Sequence, residues 1–198
     1  MWNTTEQWYQ DYDYELRNGQ ILLHHSKGTI TQEFINIPAT TEIGGVIYQV
    51  VLDFVPEVDN YSDGLWKKDK DKLLGIRFAD GVKTSANCKN LFYGLEKLQL
   101  LDIRGLDTSA ATTMENMFYY CSKLRTFLPG EHFDTSHVTN MSGMFGHCSR
   151  LKKVDLSTFN TALLTDMSHM FAFCSIVEDL NVEGFDTKKV EKMDSMFN

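Results

Sequence analysis

Thiols, carboxylates and imidazoles recur along this chain at spacings that could support chemistry. Cys121, Cys148 and Cys174 fall one repeat apart, with Cys88 further upstream. A zinc site needs thiolate or imidazole ligands converging from several directions, usually with a C-x-x-C pair. The sequence has no such pair. The spacing instead predicts a ladder of buried thiols in small core slots. Rungs of a stack lie roughly 5 Å apart, so a disulfide between neighbours also stays open. Asp107, Asp134, Asn160 and Asp186 form a second column. Stacked carboxylates can share a calcium ion, but a turn-capping residue also recurs wherever its turn recurs. The neutral Asn160 favours the turn, and no metal is expected. His24, His25, His132, His137, His147 and His169 show no nucleophile–base arrangement. No enzyme activity and no cofactor are expected.

The elements that position these columns are repeats. Met114-x-x-Met117-Phe118 returns as Met141-x-x-Met144-Phe145, Met167-x-x-Met170-Phe171 and Met193-x-x-Met196-Phe197, at steps of 27, 26 and 26 residues. A fixed period in this range means a solenoid of stacked units, whose long surfaces suit binding better than catalysis. Val138, Met141, Met144 and Phe145 fall at i, i+3, i+6 and i+7, which predicts a short helix with an apolar face. Val154-Asp155-Leu156 then alternates as a short strand. A degenerate unit precedes these, with Leu98-x-x-Leu101-x-Ile103 in leucine-rich-repeat grammar. The stretch Phe127–Phe133 is one residue longer than its counterparts and carries Pro129, which predicts a bulge.

Upstream, apolar runs flank Asn18-Gly19, the strongest short hairpin signal, and a second turn lies at Gly44-Gly45. A charged stretch from Pro56 to Lys72 reads as a solvated loop. A calcium loop starting at Asp59 is rejected, because Tyr61 and Lys70 occupy ligand positions. The reading is therefore an α/β leucine-rich-repeat solenoid. Short strands form one wall and short helices the other. Residues 1–72 make a β-rich N-terminal cap with a charged loop. Residues 73–198 make about four to five units, the last incomplete.

Bulk properties narrow the function. The net charge of −8 disfavours nucleic acid. No apolar run approaches the ~18 residues that span a bilayer, and no signal peptide is evident. The Asn3-Thr4-Thr5 and Asn140-Met141-Ser142 sequons are discounted, the second because the repeat dictates it.

Phe133-Asp134-Thr135-Ser136-His137-Val138-Thr139-Asn140-Met141-Ser142-Gly143-Met144-Phe145-Gly146-His147-Cys148-Ser149-Arg150-Leu151 closely resembles the repeat of BspA-like leucine-rich-repeat surface proteins. Matching repeats cover roughly residues 80–198. The resemblance implies a bacterial cell-surface or secreted protein that binds host proteins, matrix or other cells, and it supplies no catalytic residues.

The expected function is a non-enzymatic binding or adhesion module that presents a solenoid face to a protein or glycan. The alternative is a virion-associated structural or receptor-binding part of a phage tail. The predicted binding face is the strand wall, whose variable positions are Gln99, Asp102, Arg104, Arg125, Thr126, Lys152, Lys153, Asp155, Ser157, Glu178, Asp179, Asn181 and Glu183. Aromatic anchors are absent from these positions, which points to a polar or weak multivalent contact. The regions of Trp2, Trp8 and Trp66 offer the one alternative, an aromatic platform for sugar. The unit opened by Asp186 stops at Asn198, so self-association through an uncapped last rung is also expected.

Overall fold

A computed structural model describes residues 8–53 and 64–198. Asn3, Trp2 and the first five residues of the calcium-loop candidate beginning at Asp59 lie outside the described residues. The chain winds into a β-solenoid of about five turns. Strands β1 (Tyr12–Arg17) and β2 (Gln20–Ser26) form the expected antiparallel hairpin. Its turn places Asn18 and Gly19 at φ of 51° and 74°, a left-handed pair that only such residues adopt cheaply. β4 (Thr40–Ile43) and β5 (Val46–Leu52) form a second hairpin through Gly44 and Gly45.

All other pairings are parallel. β2, β5, β7 (Val82–Thr84) and β9 (Leu106–Asp107) make one wall. β3 (Phe34–Ile37), β6 (Gly75–Phe78) and β8 (Leu100–Asp102) make a second. β10 (Thr126–Phe127), β11 (Lys153–Asp155) and β12 (Asp179–Asn181) make a third sheet further along the chain. Strand pairing of the first wall ends at β9. Beyond it the buried hydroxyls of Thr108, Thr135 and Thr161 each donate to a carbonyl one coil on, at Asp134, Asn160 and Asp186. Gly130 sits on the longer coil where a Cβ would collide with the Arg104 backbone, so only glycine lets that coil lie against its neighbour.

The expected helices on the opposite wall are absent among the described residues. Only two 3-10 turns occur, at Trp8–Asp11 and Lys67–Asp69, both outside the Met-Phe repeats. The repeat segments are instead chains of β-turns with two left-handed residues per coil. The first such position holds Asn90, Asn116, Gly143, His169 and Ser195, and the second holds Gly94, Tyr120, His147 and Phe173, all at positive φ. A left-handed residue every fourth position is incompatible with a right-handed helix. Each four-residue unit closes with an i→i+3 bond, as Met144 N–H donates to Met141 O and Cys148 N–H to Phe145 O. A repeat of four points residues i, i+3, i+4 and i+7 inward just as a helix does. That degeneracy explains the misreading.

The remaining N–H groups hold the coils together. From Met114 onward, Met114, Asn116, Phe118 and Tyr120 donate to Asn140, Ser142, Met144 and Gly146 of the next coil. Met117, Tyr119 and Cys121 donate within their own turns. Donors thus alternate between turn and ladder, which satisfies buried backbone without helix or continuous strand. Asn87, Thr113, Asn140, Asp166 and Lys192 form a column of single parallel bridges along this wall.

Inside, the Met, Phe and Cys columns are core, as the repeat required. Met117, Phe118, Cys121, Met144, Phe145 and Cys148 are fully buried. Trp66, Phe92, Phe118, Phe145, Phe171 and Phe197 stack in one file, with successive centroids 5.2, 5.2, 5.4, 5.4 and 5.6 Å apart and planes within 11° of parallel. The stretch expected as a solvated loop therefore contributes the end plug. Leu65, Trp66, Asp69 and Leu73 are buried. Trp66 Nε1 donates to the Tyr12 hydroxyl at 2.9 Å, tying the plug to the N-terminal hairpin.

The thiols stay free and close the core. Cys121, Cys148 and Cys174 donate to the carbonyls of Phe92, Phe118 and Phe145. Burial pushes their pKa values up, to about 11 at the least buried, Cys174, and to about 12 at Cys88. The neutral thiol is a poor nucleophile. Alkylation of the folded protein at neutral pH is expected to modify Cys174 first and to spare Cys121 and Cys148 until unfolding, as peptide mass mapping over time would report. Phe145→Ala removes a ring with partners on both faces. It should cost about 3–5 kcal/mol of stability, measured by denaturant unfolding; a loss below about 1 kcal/mol would show that the file does not carry the core.

Candidate functional site

The strand wall expected to bind is engaged with itself. Asp102 accepts from Arg104 Nε and Nη2 at 2.9 and 2.8 Å and lies 3.4 Å from Arg77 Nε. The Arg104 hydrogen bonds hold the Asp102 carboxyl below the usual carboxylate range. Lys152 pairs with Glu178 at 2.9 Å and Lys153 with Asp179 at 3.3 Å, one coil apart. Asp155 accepts the Ser157 N–H and Asn181 accepts the Glu183 N–H, each capping a turn. Arg125 stands exposed, and its carbonyl receives the N–H groups of Lys152 and Lys153. Exposed pairs of this kind contribute about 0–1 kcal/mol each. At Asp102, Lys152, Lys153, Glu178 and Asp179 a ligand would have to displace partners already present.

The acidic column caps turns. Asp107, Asp134, Asn160 and Asp186 each accept the N–H two residues on, from Ser109, Ser136, Ala162 and Lys188. The described residues hold no group of three or more His, Cys, Asp or Glu side chains placed to share a metal ion. Trp8 and Trp66 are buried, so neither can present a ring to a sugar.

The turn wall offers what the strand wall lacks. Its second left-handed column places Tyr120, His147 and Phe173 on successive coils with their side chains outside. Tyr120 and His147 stack at 4.3 Å, and His147 and Phe173 at 4.4 Å. Tyr120 is 38% exposed and Phe173 53% exposed. One residue earlier, Tyr93 and Tyr119 stack at 5.6 Å within 7° of parallel. The result is a continuous aromatic strip along the solenoid axis. Tyr119 is at once edge-on to Tyr120 and close to His147, so the two files form one surface.

The signal for this surface was in the sequence but was assigned to a helix. Tyr119-Tyr120, Gly146-His147 and Ala172-Phe173 share one register between the second Met and the Cys of each repeat. Left-handed geometry brings those side chains into a file, whereas a helix would fan them around its axis. Beside the strip lies an open groove of about 310 Å³, lined by Tyr93, Asn116, Tyr119, Ser142, Gly143, Ser168 and His169. At the far end, Phe171, Val177, Leu180 and Phe197 line an apolar notch of about 610 Å³.

A family model described as "Mycoplasma protein of unknown function, DUF285" matches residues 86–198, the part of the chain that forms the repeated turn wall. No curated protein and no solved structure matches the chain.

Between two rings, His147 is shielded from water, and this desolvation pushes its pKa below the ordinary 6.5. The unfolded chain then takes up a proton more readily than the folded one. The contribution of His147 is therefore complete above pH 6.5 and is lost as pH falls through the folded value. His147→Tyr, which matches Tyr120 one coil earlier, should flatten the drop in melting temperature just below pH 6.5. Parallel thermal melts of both proteins across that window would show it, and identical pH profiles would count against a shielded imidazole.

Proposed function

Since the chain belongs to the family described as Mycoplasma protein of unknown function, DUF285, we propose that it is a non-enzymatic binding or adhesion module of a bacterial surface or secreted protein, and that it binds through its turn wall. A solenoid with a family match of this kind is compatible with a binding or surface role. The observation that carries the choice of wall is the exposed file Tyr120, His147 and Phe173. Aromatic side chains supply large contact area at low entropic cost and dominate binding hot spots. A soluble surface seldom leaves several of them exposed in one continuous patch without a partner to cover them. Several charges of the strand wall, by contrast, are paired across rungs: Arg77 with Asp102, Lys152 with Glu178 and Lys153 with Asp179.

This reading makes protein or glycan ligands the partners and leaves nucleic acid out, because the chain carries a net charge of −8. The described residues contain no helix long and apolar enough to cross a membrane.

Asparagine tolerates left-handed backbone, so Tyr120→Asn combined with Phe173→Asn removes the rings with little strain. Binding of the purified chain would be measured on immobilised matrix glycoproteins and glycans. The double variant should lose about tenfold or more in affinity, roughly 1.4 kcal/mol. Lys152→Glu combined with Lys153→Glu should stay within about twofold. Affinity lost by the second pair and kept by the first would move the site to the strand wall.

A further inference from the structure

The groove beside the aromatic strip has a composition of its own. Gly143 and Gly146 stand in the middle coil, where every other repeat has a side chain at the first of these positions and Tyr93, Tyr119 or Ala172 at the second. A Cβ at Gly143 would collide with Asn116 Oδ1, and one at Gly146 with the Tyr119 ring. The two glycines are buried beneath those side chains and form a floor over which Asn116 and Tyr119 lean. Tyr93 covers one face of Tyr119. The next two coils place Gly146 and Ala172 at the equivalent position, so no ring stacks parallel on the other side, where the Tyr119 ring rests against Gly146 and His147 stands at 5.2 Å, tilted by 62°. That face borders the groove, with Ser142, Ser168 and His169 along its far side.

We propose that this groove is a saccharide-binding site, in which the unstacked face of Tyr119 takes the C–H face of a neutral sugar ring and Asn116, Ser142 and His169 bond its hydroxyls. The proposal rests on the reading of the turn wall as the binding surface and names the ligand class for it.

Three features of the groove select that class. The π-cloud of an aromatic face is electron-rich and pairs with the polarised C–H bonds of a sugar. The lining side chains are hydroxyl, amide, phenol and imidazole, without lysine or arginine, which disfavours sulfated or phosphorylated polymers. They include no aliphatic side chain, so the groove lacks the apolar pocket that a peptide anchor fills. Its volume is at the small end of ligand sites, enough for one or two sugar rings while the rest of an oligosaccharide runs along the axis. The file Tyr120–His147–Phe173 differs in kind. Its middle ring, His147, is covered on both faces by Tyr120 and Phe173, and the groove lined by hydroxyl and amide groups lies beside Tyr119 instead.

The probes are short neutral cello-, malto-, xylo- and N-acetylchito-oligosaccharides, with a heparin fragment as the charged comparison. Affinity is read by isothermal titration and contact by chemical-shift changes of the folded wild type. At least one neutral probe should bind with a Kd of millimolar or tighter and shift the Tyr119, Ser142 and His169 signals. Tyr119→Ala should weaken that binding about tenfold or more, and Tyr119→Phe, which keeps the ring, should stay within about twofold. The shift map on the wild type keeps the test decisive if Tyr119→Ala fails to fold. Binding of the heparin fragment alone, shifts elsewhere, binding indifferent to Tyr119→Ala, or no binding of any neutral probe would overturn the proposal. If neutral sugars fail while Tyr120→Asn with Phe173→Asn still abolishes adhesion, the saccharide site falls and the turn-wall reading stands.

Discussion

Two left-handed residues in each of the four coils between Asn90 and Phe173 set the rest of this structure. They stop a helix from forming and send successive N–H groups in alternate directions, one into its own turn and the next into the neighbouring coil. A helix would have satisfied the same groups internally and left coils to adhere by side chains alone. Here the turn wall is itself a hydrogen-bonded ladder. Because the ladder fixes coil spacing, identical residues in successive repeats come to stacking distance. The core file from Trp66 to Phe197 and the surface file of Tyr120, His147 and Phe173 both follow from that spacing.

Seen this way, core and surface are two products of one register. Within each four-residue turn the first and last side chains point in and the middle two point out. From Met114 to Phe171 the inward positions hold buried Met, Phe and Cys and tolerate little change, since they are packed between copies on neighbouring coils. The outward positions need only accept left-handed or turn geometry. Aromatic rings, glycines and hydroxyls can be exchanged there without disturbing the ladder, and Gly143 and Gly146 beneath Asn116 and Tyr119 show how a coil makes room for a groove. The strand wall has less freedom, because charged residues on adjacent rungs meet at salt-bridge distance and pair.

The period, the buried columns, the Asn18-Gly19 hairpin and the Gly44-Gly45 turn were legible in the sequence, because apolar identity and Asn-Gly chemistry are local signals. The wall type was not. Inward positions i, i+3, i+4 and i+7 are shared by a helix and by consecutive four-residue turns, and only the residues between them discriminate. Asn90, Asn116 and Gly143 at one position, with Gly94 at the other, were that signal, since Asn and Gly favour left-handed backbone. Tyr120, His147 and Phe173 masked it by occupying left-handed positions that such residues seldom take. The plug at Leu65 and Trp66 was hidden by the charges that follow it, although Trp66 supplies the first ring of the core file. The proposed turn-wall site was hidden for the same reason as the wall type. Variable charges on the strand wall looked free in sequence, and their partners one coil away became visible only with the register known.

Residue-resolved NMR of the repeat region tests the central claim most directly. The account predicts positive-φ couplings at Asn116, Tyr120, His147 and Phe173, together with nuclear Overhauser contacts between the rings of Tyr120 and His147 and of His147 and Phe173. Sequential helical contacts from Met141 through Cys148, with no contact between those rings, would contradict it.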